Sequence, residues 1–462
     1  MMFEEHDFSA ARPLWLVTEA GLESWLAGRP HAERAWLAAT GFRAERHQSI
    51  ALPGPGGEPC GAVLGVGPLG TLDDLEPWHL AGAPDRLPPG AWRLESALPA
   101  TAATAAALGW AYGGYRFDRY RSRPRPAPGA TLVPPQLADM TYVRRMSAAL
   151  AMARDLINTP AADLTPERLA VEGLEMARRC GAEGRVVMGD ALAEGYPAVH
   201  AVGRAASSAP RLLDFHWGNV DAPRVTLVGK GVCFDTGGLD LKPAAGMLLM
   251  KKDMGGAACV LALARMVMES ALPVRLRVLV PAVENSVAGN AYRPGDVLRT
   301  RKGLSVEVGN TDAEGRLILA DALAAADAEQ PDLLVDLATL TGAARVALGP
   351  DLPALFGQRE ATVAALAVHG RRLADPVWPM PLWSGYEDDL ASKVADLNNV
   401  SGSTFAGAII GGLFLRRFVA PATDWLHLDL YGWNPKERPG RPVGAEPQSV
   451  RALHALLVER YG

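Results

Sequence analysis

Cysteine is scarce: Cys60, Cys180, Cys233 and Cys259 are the only four in 462 residues, and no two form a CxxC pair. Such scatter argues against a disulfide framework and fits reduced thiols in a cytoplasmic protein. Nine histidines occur, but none sits in an HExxH pattern, so structural or surface roles suit them best. The chain lacks a Gly-x-Ser-x-Gly elbow, the motif of many serine hydrolases. It also lacks a run of 18 apolar residues, which excludes a membrane-spanning helix. The opening Met1 to Phe8 is acidic and has no signal-peptide apolar core. Net charge is only −5, so nothing draws the whole molecule to nucleic acid or an anionic membrane.

The rest of the composition is that of a soluble globular protein, with 49% hydrophobic and 21% charged residues. Its length suits two or three domains. A proline-rich stretch from Arg121 to Gln136 marks the clearest boundary, because so much proline fits neither a helix nor a central strand. The expected organisation is a small α/β domain over 1–135, a linker helix over 136–158 and a larger α/β domain over 159–462. In the last, strand candidates (Arg185–Met188, Val225–Val228, Val274–Val283, Ser305–Val308, Leu333–Leu337, Trp425–Leu430) alternate with helix candidates (Pro166–Cys180, Gly255–Ser270, Arg316–Ala328, Ala361–Ala374, Gly407–Phe418). That alternation predicts a mixed, largely parallel sheet flanked by helices. The arginines between Arg116 and Arg125 interleave with Phe117 and Tyr120. With no recognition motif beside them, they read as a solvated domain edge, and nucleic acid is an unfavoured partner.

The most informative segment is Asn310-Thr311-Asp312-Ala313-Glu314-Gly315-Arg316. It places two carboxylates two residues apart, after an apolar run and before a helical pattern. In open α/β sheets ligands bind where strands end and helices begin. Carboxylates this close repel one another unless a cation or a shared proton relieves them. Asp and Glu also favour helix N-termini for their own sake, so the heptad by itself leaves both readings open. A second cluster, Lys230 to Gly238 followed by Lys242 and Met250-Lys251-Lys252-Asp253, tips the balance. Asp235, Asp253, Asp312 and Glu314 are more acid than one divalent ion needs. Carboxylate-rich sites suit Mg or Mn, Zn also accepts carboxylate, and two bridged ions fit a two-metal hydrolase. Cys233 has no local histidine to activate it and reads as a buried apolar residue.

These blocks resemble the signature of the leucyl aminopeptidase (cytosol aminopeptidase) family. The resemblance extends through Arg154–Pro160, Asp336–Gly342, Ala395–Asn399 and Ala406–Ile409, and covers roughly residues 140–430. It implies a metal-dependent aminopeptidase releasing N-terminal residues, Leu-like ones preferred, from peptide substrates. Two divalent ions, Mn or Zn, would be held by Lys230, Asp235, Asp253, Asp312 and Glu314. Lys230 could serve only as a neutral amine. Lys242 would stabilise the oxyanion, and Arg316 would hold a bicarbonate acting as general base. Asn310, Leu340 and Gly342 would contact the substrate backbone, and Met250 and Thr339 would line the first-residue pocket. The resemblance also implies a homohexamer. The segment Leu430-Tyr-Gly-Trp-Asn-Pro-Lys436 departs from the family pattern, with bulky Trp433 where the pocket would close. Two rival readings are a scaffold or DNA-binding regulator, and a two-metal hydrolase of phosphoesters.

Overall fold

The computed structural model describes residues 2–3 and 10–462, so the acidic segment from residue 4 to 9 lies outside the described residues. The chain divides into two compact units. One comprises Met1–Ala148 with Lys436–Val443, the other Ala149–Pro435 with Gly444–Gly462. The division falls inside the helix Met140–Asn158. That helix lies within the stretch expected to link the domains, and Lys436–Val443 groups with the first unit.

In the first unit a five-stranded sheet runs in the order Ser49–Pro53, Pro59–Gly67, Arg12–Thr18, Gly90–Leu94, Ala130–Leu132. Only the Ser49–Pro53 edge is antiparallel. Its core gathers Leu14, Leu64, Trp92 and Trp110. Arg116 pairs with Asp85, and Arg121 and Arg125 reach Asp118 at 3.1 and 3.5 Å, which is how a solvated edge disposes of its charges.

The second unit carries the larger sheet. Its strands run Trp378–Pro379, Ala354–Gly357, Trp425–Asp429, Leu333–Ala338, Arg224–Gly229, Arg275–Asn285, Arg211–Trp217, Glu183–Val187, and Gly231–Asp235 also pairs with Arg275–Asn285. The central strands Trp425–Asp429, Leu333–Ala338, Arg224–Gly229 and Arg275–Asn285 are mutually parallel. Antiparallel pairings flank them, which makes the sheet mixed. Val225, Leu227 and Val228 are fully buried, as befits a parallel strand covered on both faces. The helix Glu314–Asp327 is apolar nearly all round and buries Leu317, Ile318, Leu319, Ala322 and Leu323.

One strand expectation needs correction. Ser305–Glu307 does not join the central sheet; it forms a three-stranded side sheet with Val297–Arg299 and Leu397–Asn398. Polar Ser305 and Glu307 flank buried Val306, so this strand has one wet face and cannot enter a sheet covered on both sides. The strands Arg211–Trp217 and Ala354–Gly357 and the helix Val450–Tyr461 were not foreseen.

Among the described residues, no helix is long and apolar enough to cross a membrane.

Candidate metal centre

The central parallel strands all end on one edge, and chemistry-bearing residues collect there. Lys230 follows Arg224–Gly229, Asp235 ends Gly231–Asp235, Asn285 ends Arg275–Asn285, Thr339 follows Leu333–Ala338, and Asp429 ends Trp425–Asp429. Asp312 lies in the turn Thr311–Ala313, and Glu314 is the first residue of the following helix. Asp253 sits in the turn Met250–Met254 before the helix Gly255–Glu269. The carboxylates of Asp235, Asp312 and Glu314 bring oxygens within 4.8 Å of one another.

Two ammonium groups interleave with the acids. Lys230 Nζ lies 2.7 Å from Asp253 and 2.9 Å from Glu314, and donates to the Thr339 carbonyl at 2.9 Å. Lys242 Nζ lies 2.8 Å from Asp235 and also pairs with Asp312. So Lys230 pairs with Asp253 and Glu314 and not with the nearby Asp235, and Lys242 faces two carboxylates. Burial by itself disfavours each charged amine, but the surrounding carboxylates outweigh it and hold both lysines above their ordinary pKa. Glycine makes the approach possible: a Cβ at Gly315 would stand 2.6 Å from Lys230 Cε. At Gly237, φ is +87° and a Cβ would meet Asp312 Oδ1 at 3.1 Å.

Even with these cations the acids are under-compensated. Burial first, then the charge of Asp235, pushes Glu314 up to about 8 and Asp312 up to about 6. Glu314 Oε2 is buried with no hydrogen-bond partner. Clustered hard oxygen donors with an orphaned buried oxygen fit divalent cations.

Other residues hold this set in place. Asp235 Oδ1 accepts from Gly237 N and Asn285 Nδ2, both at 2.8 Å. Asn285 Nδ2 also donates to the Thr311 carbonyl, as does the Tyr292 hydroxyl. Thr339 Oγ1 donates to Asp253 Oδ1 at 2.7 Å, so its hydroxyl orients a carboxylate. Asn310 Oδ1 accepts from Asp312 N at 2.7 Å. The amides of Leu340 and Thr341, just before Gly342, donate to Asp429, which fixes the loop after Leu333–Ala338. Asn399 accepts from Gly309 N and Asn310 N, and its carbonyl accepts from Arg316 Nη1 at 2.6 Å. Asn285, Tyr292 and Asn399 went unassigned from sequence. Asn399 lies in a segment that carried the family resemblance, but a lone Asn or Tyr after a strand gives no signal.

Arg316 is buried, and burial lowers its guanidinium to about 10. Its Nε has no hydrogen-bond partner, and it faces a cleft of about 550 Å³ lined by Asn310, Val400, Ser403 and Phe405. Met250 is half-buried at the start of its turn. Cys233 is buried, which pushes its thiol well above the ordinary range. His427 is a core residue: Nδ1 meets Asp336 at 2.6 Å, and the ring stacks on Phe356 and Trp425.

Fold and cluster together define a class: an α/β protein with a carboxylate- and lysine-built site of the kind that accepts divalent cations. Residues 151–454 match the catalytic domain of the cytosol aminopeptidase family, and residues 12–135 match the M17 aminopeptidase N-terminal domain. The chain belongs to the cytosol aminopeptidase family and is thus a peptidase, a hydrolase. A probable cytosol aminopeptidase of Mycobacterium ulcerans is 42% identical over 380 residues, covering 78% of this chain and 73% of that protein. One from Rhodococcus jostii is 38% identical over 416 residues, covering 86% and 82%. The crystal structure of a cytosol aminopeptidase from Coxiella burnetii superimposes with a TM-score of 0.95 at 42% identity, over 100% of both chains. The bottromycin maturation enzyme BotP, solved in complex with Mn, matches at 0.87 and 34% identity, over 98% of this chain and 99% of its own.

Proposed function

We propose that this protein is a metal-dependent aminopeptidase that removes N-terminal residues from peptides. The observation that carries this reading is the convergence of Asp235, Asp312 and Glu314 around interleaved lysines at the carboxyl edge of a parallel sheet. Lys230, Asp235, Asp253, Asp312 and Glu314 would hold two divalent ions, Mn or Zn. The Mn found with BotP supports that choice. Bound there, the ions supply Lewis-acid activation of the scissile carbonyl and of a water.

The chain's own groups do the remainder. Lys230 would serve as a ligand only after releasing its proton to solvent, since only the free amine can donate to a cation. With cations bound to Asp235 and Asp312, Lys242 would be free to donate from Nζ to the developing oxyanion. Arg316, a buried guanidinium without a carboxylate partner among the described residues, would hold bicarbonate as general base. Asn310 and Gly342 would contact the peptide backbone. The Leu340 amide is committed to Asp429, which leaves its carbonyl for substrate. Met250 would line the first-residue pocket and carry the Leu-like preference that the family implies, with Lys251 and Lys252 next to it in the chain. A homohexamer and a cytoplasmic location belong to the same reading. Leu241 and Leu248, 59% and 79% exposed, are apolar surface that such an assembly would cover, and sedimentation analysis tests it.

The deciding assay compares Leu-p-nitroanilide with p-nitrophenyl phosphate, each with Mn, Zn or chelator. Chelator-sensitive amide turnover is expected. Turnover of the phosphate ester alone, or amide turnover indifferent to chelator, would overturn the reading.

A further inference from the structure

Two cations that form no ion pair among the described residues stand beside the residues assigned to the first-residue pocket. Lys252 is 5% exposed, and its Nζ lies 4.7 Å from the centroid of the Tyr431 ring. The Arg345 guanidinium lies 5.2 Å from the same ring. Neither forms an ion pair among the described residues, whereas the adjacent Asp253 is committed to Lys230 and Thr339. Three segments meet at this point. The Thr339 methyl comes within 3.3 Å of where a Cβ would stand at both Gly255 and Gly432, and Lys252 O lies 3.8 Å from that position at Gly432. Arg345 Nη2 comes within 4.0 Å of the equivalent position at Gly342. Trp433, by contrast, packs under Lys251 at 5.7 Å, so Tyr431 is the aromatic residue of this corner.

Asp253 and Asp429 act on the Lys252 ammonium without forming an ion pair with it, Lys230 and Arg345 oppose them, and burial outweighs all four, so that beside the Tyr431 ring the ammonium recovers less than its desolvation costs. An anion beside it would close the deficit. An aliphatic side chain in the same place would dehydrate the cations further and return nothing to them. The substrate's α-amine cannot be the partner, because it carries the same charge.

We propose that Lys252, assisted by Arg345 across the Tyr431 ring, is a specificity-determining residue that selects peptides whose first residue bears a side-chain carboxylate. The proposal rests on the aminopeptidase reading.

The test is kcat/KM of the Mn-loaded protein on Glu-, Asp- and Leu-p-nitroanilide for wild type, Lys252→Met and Arg345→Ala. Wild type should prefer Glu or Asp to Leu. Lys252→Met, close in volume and neutral, should lower the Glu-to-Leu ratio by about 10- to 100-fold, the scale of one lost hydrogen bond to a charged group. Arg345→Ala, on an exposed side chain, should lower it by about 3- to 10-fold. A wild type that prefers Leu, or a ratio unmoved in Lys252→Met, overturns the proposal while leaving the aminopeptidase intact. If Lys252→Met does not fold, wild-type preference and Arg345→Ala decide. No turnover of any of the three by metal-loaded wild type would remove the aminopeptidase reading itself, and this proposal with it.

Discussion

Replacing Glu314 with Gln tests whether the site keeps its carboxylates together against their own repulsion. Glu314 is 1% exposed, and burial followed by the charge of Asp235 raises its carboxyl from 4.5 to about 8, with Lys230 opposing. In the unfolded chain the group titrates at its ordinary value. Below that value both states carry the proton, and Glu314 has no effect on stability. Above it the unfolded chain releases the proton and the folded chain resists, so stability falls as pH rises toward 8. At about 1.4 kcal/mol per unit the ceiling is about 5 kcal/mol. Because Glu314 titrates together with its neighbouring acids and Lys230, a working figure is about 1–3 kcal/mol. Gln keeps an acceptor for Lys230 and removes the ionisation. Chelator-treated Glu314→Gln should therefore melt with wild type at pH 4.5 and several degrees above it at pH 8, by circular dichroism. The metal-loaded variant should lose more than about nine-tenths of turnover, since amide oxygen is a poor substitute for a shared carboxylate. A chelated variant that melts below wild type at pH 8 would refute the reasoning. So would one that tracks wild type at both pH values.

Lys242→Ala should keep its metal, by elemental analysis, and lose about 10²- to 10³-fold in turnover with a smaller change in substrate binding; loss of metal would make Lys242 a ligand. Arg316→Ala should abolish the stimulation that added bicarbonate gives wild type, and an unchanged response would place the base elsewhere. Asn285→Ala removes a fully buried donor to Asp235 and should weaken Mn binding by about 10- to 100-fold in calorimetry; unaltered affinity would mean that Gly237 N alone positions Asp235.

The alternation of apolar runs with helical patterns made the α/β class legible, because a doubly covered parallel strand such as Val225–Val228 must be apolar throughout. The strand Arg211–Trp217 escaped notice because it carries Asp214, a residue a buried strand should not hold. Arg277 on the neighbouring strand meets Asp214 with two hydrogen bonds of 3.0 Å, a pairing invisible along one strand. Ser305–Glu307 was assigned to the wrong sheet for the opposite reason: its short apolar content reads the same in either place, and only its partners decide.

The sequence by itself determined the class of fold and the chemical inventory of the site. Carboxylates, lysines and glycines at fixed short spacings are local facts, and turns such as Thr311–Ala313 follow from them. Tertiary structure decided which cation faces which acid. Lys230 could have paired with Asp235, five residues on, yet it reaches Asp253 and Glu314, and Lys242 takes Asp235 and Asp312. It also decided that Asn285 stands level with Asp235, through a register shift between adjacent strands. And it left Lys252 buried against Tyr431 with no ion pair among the described residues. Such pairings join residues far apart in the chain, and their energies depend on distance and burial, which exist only once the sheet has formed.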